Sequence, residues 1–261
     1  MKKPGVLVIS HGSREPEWVR LVDEAVAAAA SAPELAEVPV VSAFLEIVEG
    51  RLIQDGIDRL EEAGVTEMLV LPLFVSSGST HVDEIGQAFG LPPVAELEGD
   101  LGVFRVNEAA IHMGTPIDDD PEIAELLLSN IKPLSINPSG ESLLLVAHGS
   151  KEPVFHERWQ QGLSLLAERL RELGGFAAAG TAMLLPDQAA ERLRELALGQ
   201  PSGDSVIVVP LFLSKGYFTN KVIPGRLAGL DYRYNGQALL PHPAVTRWLV
   251  RQMIGWLASV R

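Results

Sequence analysis

The chain contains no cysteine, which excludes disulfides, thiolate metal sites, iron–sulfur clusters and cysteine nucleophiles. Any metal ion must therefore be held by nitrogen or oxygen. Positive charge is also scarce: 21 Lys and Arg stand against 34 Asp and Glu, a formal net charge of −13. Phosphate neutralisation needs clustered cations, so no nucleic-acid partner is expected and the acidity reads as solubility. No apolar run is long enough for a membrane span, so no membrane partner is expected. The amino terminus, Met1-Lys-Lys-Pro-Gly5, runs into a short apolar stretch and lacks the long apolar core and cleavage site of a signal peptide. A cytoplasmic location is the expectation.

What is there is a repeat. The phrase Val6-Leu-Val-Ile-Ser-His-Gly-Ser-Arg-Glu-Pro16 recurs as Leu143-Leu-Leu-Val-Ala-His-Gly-Ser-Lys-Glu-Pro153, 137 positions later. Thr66–Phe74 and Asp204–Phe212 match at a shift of 138. Each phrase is a continuous apolar run that ends in a polar side chain, the pattern of a buried parallel strand. A chain of 261 residues divides naturally into two such copies.

Along the first copy, strands are expected at Val6–Ser10, Pro39–Leu45, Met68–Phe74 and around Gly102–Val106. Helices are expected at about Trp18–Ala30, at Ile53–Ala63, from near Asp83, and at Pro121–Ile131. The stretch Lys132–Glu141, rich in Pro, Ser, Asn and Gly, reads as a linker. The second copy repeats the alternation, with strands at Leu143–Ala147, Ala177–Leu184 and Val206–Phe212 and helices at Trp159–Leu173, Ala189–Leu196 and Pro243–Leu257. Helices between successive strands force parallel pairing. The fold class is therefore α/β: two tandem doubly wound parallel-sheet domains from an internal duplication, facing a central cleft. The expected domains are 1–131, carrying the site, and 142–261, catalytically degenerate, joined by 132–141.

Open parallel sheets bind ligands outside the carboxyl ends of their strands. In the first copy those ends carry His11-Gly12-Ser13, Glu46 and the loop Val75–Val82, which contains His81. A lone histidine there can simply bond a neighbouring backbone group, with Gly12 for the turn and Ser13 capping a helix. A Glu at a strand end can be an ordinary surface residue. Together, two neutral imidazoles and one carboxylate suit a first-row divalent ion and can move protons. In the second copy His148 persists, while Leu184 falls opposite Glu46 and Thr219 or Asn220 falls opposite His81. One competent site, in the first copy, is expected.

The His-Gly-Ser-Arg strand end, Phe44-Leu-Glu46 and Pro72-Leu-Phe-Val-Ser-Ser-Gly-Ser-Thr-His81, in this order and spacing, resemble the class II chelatases. The likeness is to the sirohydrochlorin cobaltochelatase and ferrochelatase family in its long, two-domain form. It implies insertion of Co²⁺ or Fe²⁺ into sirohydrochlorin, a carboxylate-rich reduced tetrapyrrole, on the route to cobalamin or sirohaem. His11, Glu46 and His81 then map onto the family's catalytic and metal-handling residues. No cofactor is implied beyond the divalent metal substrate, in keeping with the lack of Walker and dinucleotide glycine patterns. Ser13, Arg14, Ser76, Ser77 and Gly78, with Lys215 and Lys221 of the second copy, are the expected contacts for the ring and its carboxylates. Arg51 is a further cation near the strand ends. The duplication supplies the second half that a shorter relative would gain by dimerising, so a monomer is expected. A protoporphyrin or coproporphyrin ferrochelatase and a non-catalytic metal or tetrapyrrole carrier are the competing readings.

This chain runs His81-Val-Asp-Glu-Ile85 where many relatives place a spacer before Asp-Ile-Pro, so Asp83 and Glu84 are open between partners of His81 and an acidic first helical turn, the latter favoured. His112 and His156 are given no catalytic role. His242 before Pro243 and Asp118-Asp-Asp120 before Pro121 read as helix starts.

Overall fold

The computed structural model describes residues 2–97, 99–199 and 206–260. Among these, no helix is long and apolar enough to cross a membrane. In the first half, strands β1 (Pro4–Ser10), β2 (Val40–Phe44), β3 (Glu67–Pro72) and β4 (Ala110–Met113) alternate with helices α1 (Pro16–Ala30), α2 (Ile53–Glu62), α3 (Thr80–Ala88) and α4 (Pro121–Ile131). In the second half come β5 (Ser142–Gly149), α5 (Pro153–Gly174), β6 (Ala178–Leu185), α6 (Ala189–Leu198), β7 (Val206–Pro210), a π-helical turn at Phe218–Val222, α7 (Ile223–Arg226), β8 (Tyr232–Arg233) and α8 (Pro243–Val260). Asp204 and Ser205, part of the second repeated motif, lie outside the described residues.

The strands form two four-stranded parallel sheets, ordered β2-β1-β3-β4 and β6-β5-β7-β8. β1 and β5 sit between two neighbours, are buried on both faces, and read as uninterrupted apolar runs for that reason. Each sheet has its own core. Leu7, Ile9, Ala43, Ile57, Met68 and Val70 centre the first, and Leu144, Val146, Ala182, Leu193 and Val208 the second. In α1, Pro16 supplies a preset first turn. Its buried Val22, Ala25, Val26 and Ala29 recur at the three- and four-residue spacing of one helical face.

Two expectations from sequence change. The fourth strand of the first sheet is Ala110–Met113, and 102–106 is loop, with Val103 86% exposed. The short edge strand escaped the apolar pattern because it carries a polar His112, whose Nε2 lies 2.7 Å from Glu67 on β3. The compact units also do not follow the sequence halves. One unit contains residues 1–74, 80–116 and 241–261, the other 75–79 and 117–240. Helix α4 thus packs on α5 and β7 in the second unit, whereas α8 packs on α1, β1 and β3 in the first.

The stretch 132–141 is two short 3₁₀ turns rather than a loose linker. Glu141 is buried and anchors it, accepting from the Ser135 hydroxyl, the Ile136 and Asn137 amides and Arg233.

Candidate metal centre

The site lies in the first unit at the β1/β3 switch point, where the strand order turns from β2 on one side of β1 to β3 on the other, the position at which a crevice opens in a doubly wound sheet. His11 follows β1 directly, and its partner strand β2 leads into the turn bearing Glu46. The pairing continues past both strands: the Leu45 amide donates to the Ser10 carbonyl at 2.8 Å and the Glu46 amide to the His11 carbonyl at 3.2 Å. Gly12 follows at φ +102°, and a Cβ there would stand 2.2 Å from the Glu46 carbonyl oxygen. Only glycine lets the two strand ends approach so closely.

The turn 45–52 is fixed from below. The Phe44 amide donates to the Arg51 carbonyl at 2.9 Å. The Arg51 guanidinium forms a two-pronged pair with Asp23 of α1 at 2.6 and 2.7 Å, and lies 4.8 Å from the centroid of the Phe44 ring. Burial pushes the Asp23 carboxyl up, but the hydrogen bonds from Arg51 and Ser42 outweigh it and hold it below the ordinary value. Arg51 is therefore committed to structure and is not a loose cation for a ligand.

His81 is on a helix, in the first turn of α3, and not in the preceding loop as the sequence suggested. Its ring centroid lies 4.9 Å from that of His11, edge to face at 78°. His81 Nδ1 is 3.0 Å from a Glu84 carboxylate oxygen one turn on. His11 Nδ1 faces two acceptors, the Gly12 carbonyl at 3.3 Å and Glu46 Oε1 at 3.5 Å. With Nδ1 turned to oxygen acceptors, each ring can carry its proton there and offer Nε2 to a metal ion, the tautomer suited to ligation.

The side chains of His11, Glu46 and His81 are about half-exposed. Among the described residues, no three His, Asp or Glu side chains already converge as a closed metal cage. The arrangement is an open pair of imidazoles with a carboxylate beside one and behind the other. It can take an incompletely dehydrated ion from one side and leave its remaining positions to another ligand set.

Other expected residues fall elsewhere. The Ser13 hydroxyl accepts from the Glu15 amide at 3.1 Å and shapes the entry to α1, while Arg14 is exposed. Ser76 and Gly78 belong to the second unit and are buried: the Ser76 hydroxyl accepts from the Gly78 amide, and a Cβ on Gly78 would strike the Trp159 ring at 2.6 Å. The Ser77 amide donates to Asp118 at 2.7 Å. These three shape a loop; burial leaves Ser76 and Gly78 no surface for a ring.

Of the two acids after His81, Glu84 is the ring's partner, against the helix-turn reading favoured from sequence. Asp83 is buried and accepts from the Val94 amide and the Gln87 side chain. The signal for Glu84 was present in the three-residue spacing, which sets two side chains on one helical face. His242 and Asp120 cap their helices as expected, accepting from the Ala244 and Glu122 amides. His156 Nδ1 lies 3.0 Å from the Ser150 carbonyl.

The second unit shows what becomes of the same positions. Gly149 packs against the carbonyl of Leu185, 2.5 Å from a Cβ placed there, so Leu185, rather than Leu184, stands where Glu46 does. The ring beside His148 is Phe218, at 5.0 Å and 81°. Phe218, rather than Thr219 or Asn220, therefore replaces His81, at the same 137-residue offset that relates His148 to His11. Thr219 is buried.

Comparison with known proteins agrees with this duplication. The chain is 27% identical over 221 residues, 83% of its length and 76% of the relative's, to a sirohydrochlorin ferrochelatase of Priestia megaterium. It is 29% identical over 126 residues, 48% of this chain and 92% of the relative, to a sirohydrochlorin cobaltochelatase of Methanococcoides burtonii. The solved structure of SirB from Bacillus subtilis with Fe3+ superposes with a TM-score of 0.73 at 20% identity, covering 97% of this chain and 94% of that one, a likeness of fold. The CbiX family model matches twice, over residues 5–134 and 142–254. The chain belongs to the CbiX family and carries the family unit in two copies.

Proposed function

We propose that this protein is a sirohydrochlorin chelatase, inserting Co²⁺ or Fe²⁺ into the tetrapyrrole. The observation that carries the reading is the pairing of His11 and His81 at 4.9 Å, with Glu46 3.5 Å from His11, at the strand ends of one sheet. The names of the relatives support the substrate and the choice of ions.

The chemistry follows from charge and proton accounting. Sirohydrochlorin gives up two N–H protons as the divalent ion forms its bonds to the ring nitrogens, so a base must carry both protons away. The two Nε2 atoms hold the ion on one face of the ring, and neutral imidazoles let it leave again because they add no charge to be overcome. Glu46, half-exposed beside them, accepts the two N–H protons one after the other and passes each to water before taking the next. Arg14, exposed one step past Ser13, binds a ring carboxylate. The metal is a substrate and passes through, and the enzyme acts as a monomer.

The test mixes the purified protein with sirohydrochlorin and Co²⁺ or Fe²⁺ and follows the absorption spectrum. Insertion faster than the uncatalysed control, lost in His11→Ala and in His81→Ala, is expected. Tight binding of either substrate without acceleration would instead mark a carrier, and activity on protoporphyrin alone would mark a ferrochelatase of the other type.

A further inference from the structure

Glu84 reaches Nδ1 of His81 on a flexible side chain that is 27% exposed. Left to water, such a carboxylate spreads over many rotamers and its contact with the ring is brief. It is confined by the chain that returns past α3. A Cβ on Gly99 would stand 3.1 Å from Glu84 Cγ and 3.3 Å from its Cβ and Cα, so the Gly99 backbone lies along the stem of Glu84 and a side chain there would push it aside.

Two other side chains of α3 hold this returning chain in place. Asp83 accepts from the Val94 amide at 2.8 Å and from Gln87 Nε2 at 3.0 Å. Gln87 Nε2 also donates to the Leu97 carbonyl at 3.0 Å, and its Oε1 accepts from the Gly99 amide at 3.2 Å. One amide side chain thus fixes the chain on both sides of its closest approach to Glu84. Asp83 is 8% exposed, and among the described residues no cation pairs with it. A buried carboxylate served only by neutral donors is costly to keep. Leu91, Val94 and Leu97 are exposed, so the clasp gathers little core in return.

The second copy supplies the contrast. At the 137-residue offset that relates Phe218 to His81, Asn220, Lys221 and Pro224 stand for Asp83, Glu84 and Gln87, and Gly236 for Gly99. Groups that serve only the fold persist in both copies, as Gly12 and Gly149 do. The acid and the amide of the clasp are missing where the imidazole is missing.

We infer that Gln87, with Asp83 and the backbone at Gly99, is a positioning residue of the metal centre: it holds Glu84 against His81 Nδ1 and so keeps the proton there and Nε2 open to the ion. This rests on the chelatase reading for the identity of the ion. The hydrogen bonds of Gln87 go to Asp83, Leu97 and Gly99 and to neither imidazole, so it acts through Glu84.

The experiment titrates Co²⁺ into the metal-free, full-length protein and reads the His81 ring nitrogens by NMR, in the wild type, Gln87→Ala, Glu84→Ala and the double variant. Gln87→Ala is expected to weaken Co²⁺ binding about three- to tenfold and to raise the share of His81 that carries its proton on Nε2. In the Glu84→Ala background the same change should do nothing further, because the residue it acts through is gone. Gly99→Val, which displaces the Glu84 stem and leaves the Gln87 side chain in place, should reproduce both effects. The inference is overturned if Gln87→Ala weakens Co²⁺ by the same factor with and without Glu84, or if it lowers the melting temperature while the His81 tautomer and the Co²⁺ affinity stay as in the wild type. Conversely, a wild type that shows this coupling yet speeds no insertion would overturn the chelatase reading and leave the positioning role standing.

Discussion

The carbonyl oxygen of Glu46 occupies the space where Gly12 would carry a side chain, 2.2 Å from the position of its Cβ. The glycine of the His-Gly-Ser phrase is thus the hinge of the site: it allows the strand bearing one imidazole to touch the turn bearing the carboxylate. Gly12→Ala meets both a backbone clash and a φ of +102°. We expect it to cost roughly 3 kcal/mol of stability and to lower metal affinity, read by denaturant unfolding and Co²⁺ titration. Gly149→Ala, which meets the Leu185 carbonyl in the same way, should cost a similar amount and leave Co²⁺ affinity unchanged. Equal loss of metal binding in both variants would refute the assignment of the centre to the first copy.

Ile47, the residue after Glu46, has φ +73°, and the Val48 amide donates back to the Glu46 carbonyl at 2.8 Å. This is a γ-turn of the rare strained kind, centred on a β-branched residue whose side chain is 45% exposed. Little packing is lost on trimming that side chain, so relief of strain should outweigh the added chain entropy. Ile47→Gly should raise stability by about 0.5–1 kcal/mol, whereas Ile47→Val should not. A fall in melting temperature for the glycine variant would show that the turn is not under strain.

The cores of both units were legible because β1, β3, β5 and β7 are buried on both faces and spell out unbroken apolar runs. His11 and His81 stood out because they follow β1 and the loop after β3, and Glu46 because it ends the apolar stretch of the half-buried β2. Periodicity says where α4 and α8 are, yet not which sheet receives them, since an amphipathic face fits either copy of a repeat. The edge strand Ala110–Met113 was hidden by its shortness and half-exposure. Matching Thr219 or Asn220 to His81 followed polarity, when the constant offset pointed to Phe218; a site that has changed its chemistry no longer looks like its twin.

Glu141 is buried beneath the 132–141 turns, and its partners are the Ser135 hydroxyl, two amides and Arg233. Burial raises its pKa, but these hydrogen bonds prevail and hold it below the ordinary carboxylate value. A carboxyl with a lowered folded-state pKa contributes stability above its unfolded value near 4.5, and that contribution is lost as pH falls through the folded value. Glu141→Gln should therefore cost about 2–3 kcal/mol at neutral pH, and its stability should decline less steeply than that of the wild type as pH falls below 4.5. Parallel acid unfolding curves for the two proteins would exclude a role for this carboxylate in acid stability.

His81 and Glu84 test how the centre is held. If Glu84 acts only as an acid in the first turn of α3, its removal costs a few tenths of a kcal/mol in helix stability, and Glu84→Gln and Glu84→Ala, which both remove the charge, behave alike. If the 3.0 Å contact fixes the His81 tautomer, the two variants differ, because the glutamine carbonyl still accepts from Nδ1 and alanine offers nothing. We expect Co²⁺ affinity to fall about 10–100-fold in Glu84→Ala and clearly less in Glu84→Gln. Glu46→Gln provides the contrast: a base is lost, so turnover should fall by about 10²–10⁴, with a smaller change in Co²⁺ affinity than in Glu84→Ala. Titration of Co²⁺ into each variant, followed by the rate of insertion at saturating metal, separates a residue that holds the ligand from one that takes the proton.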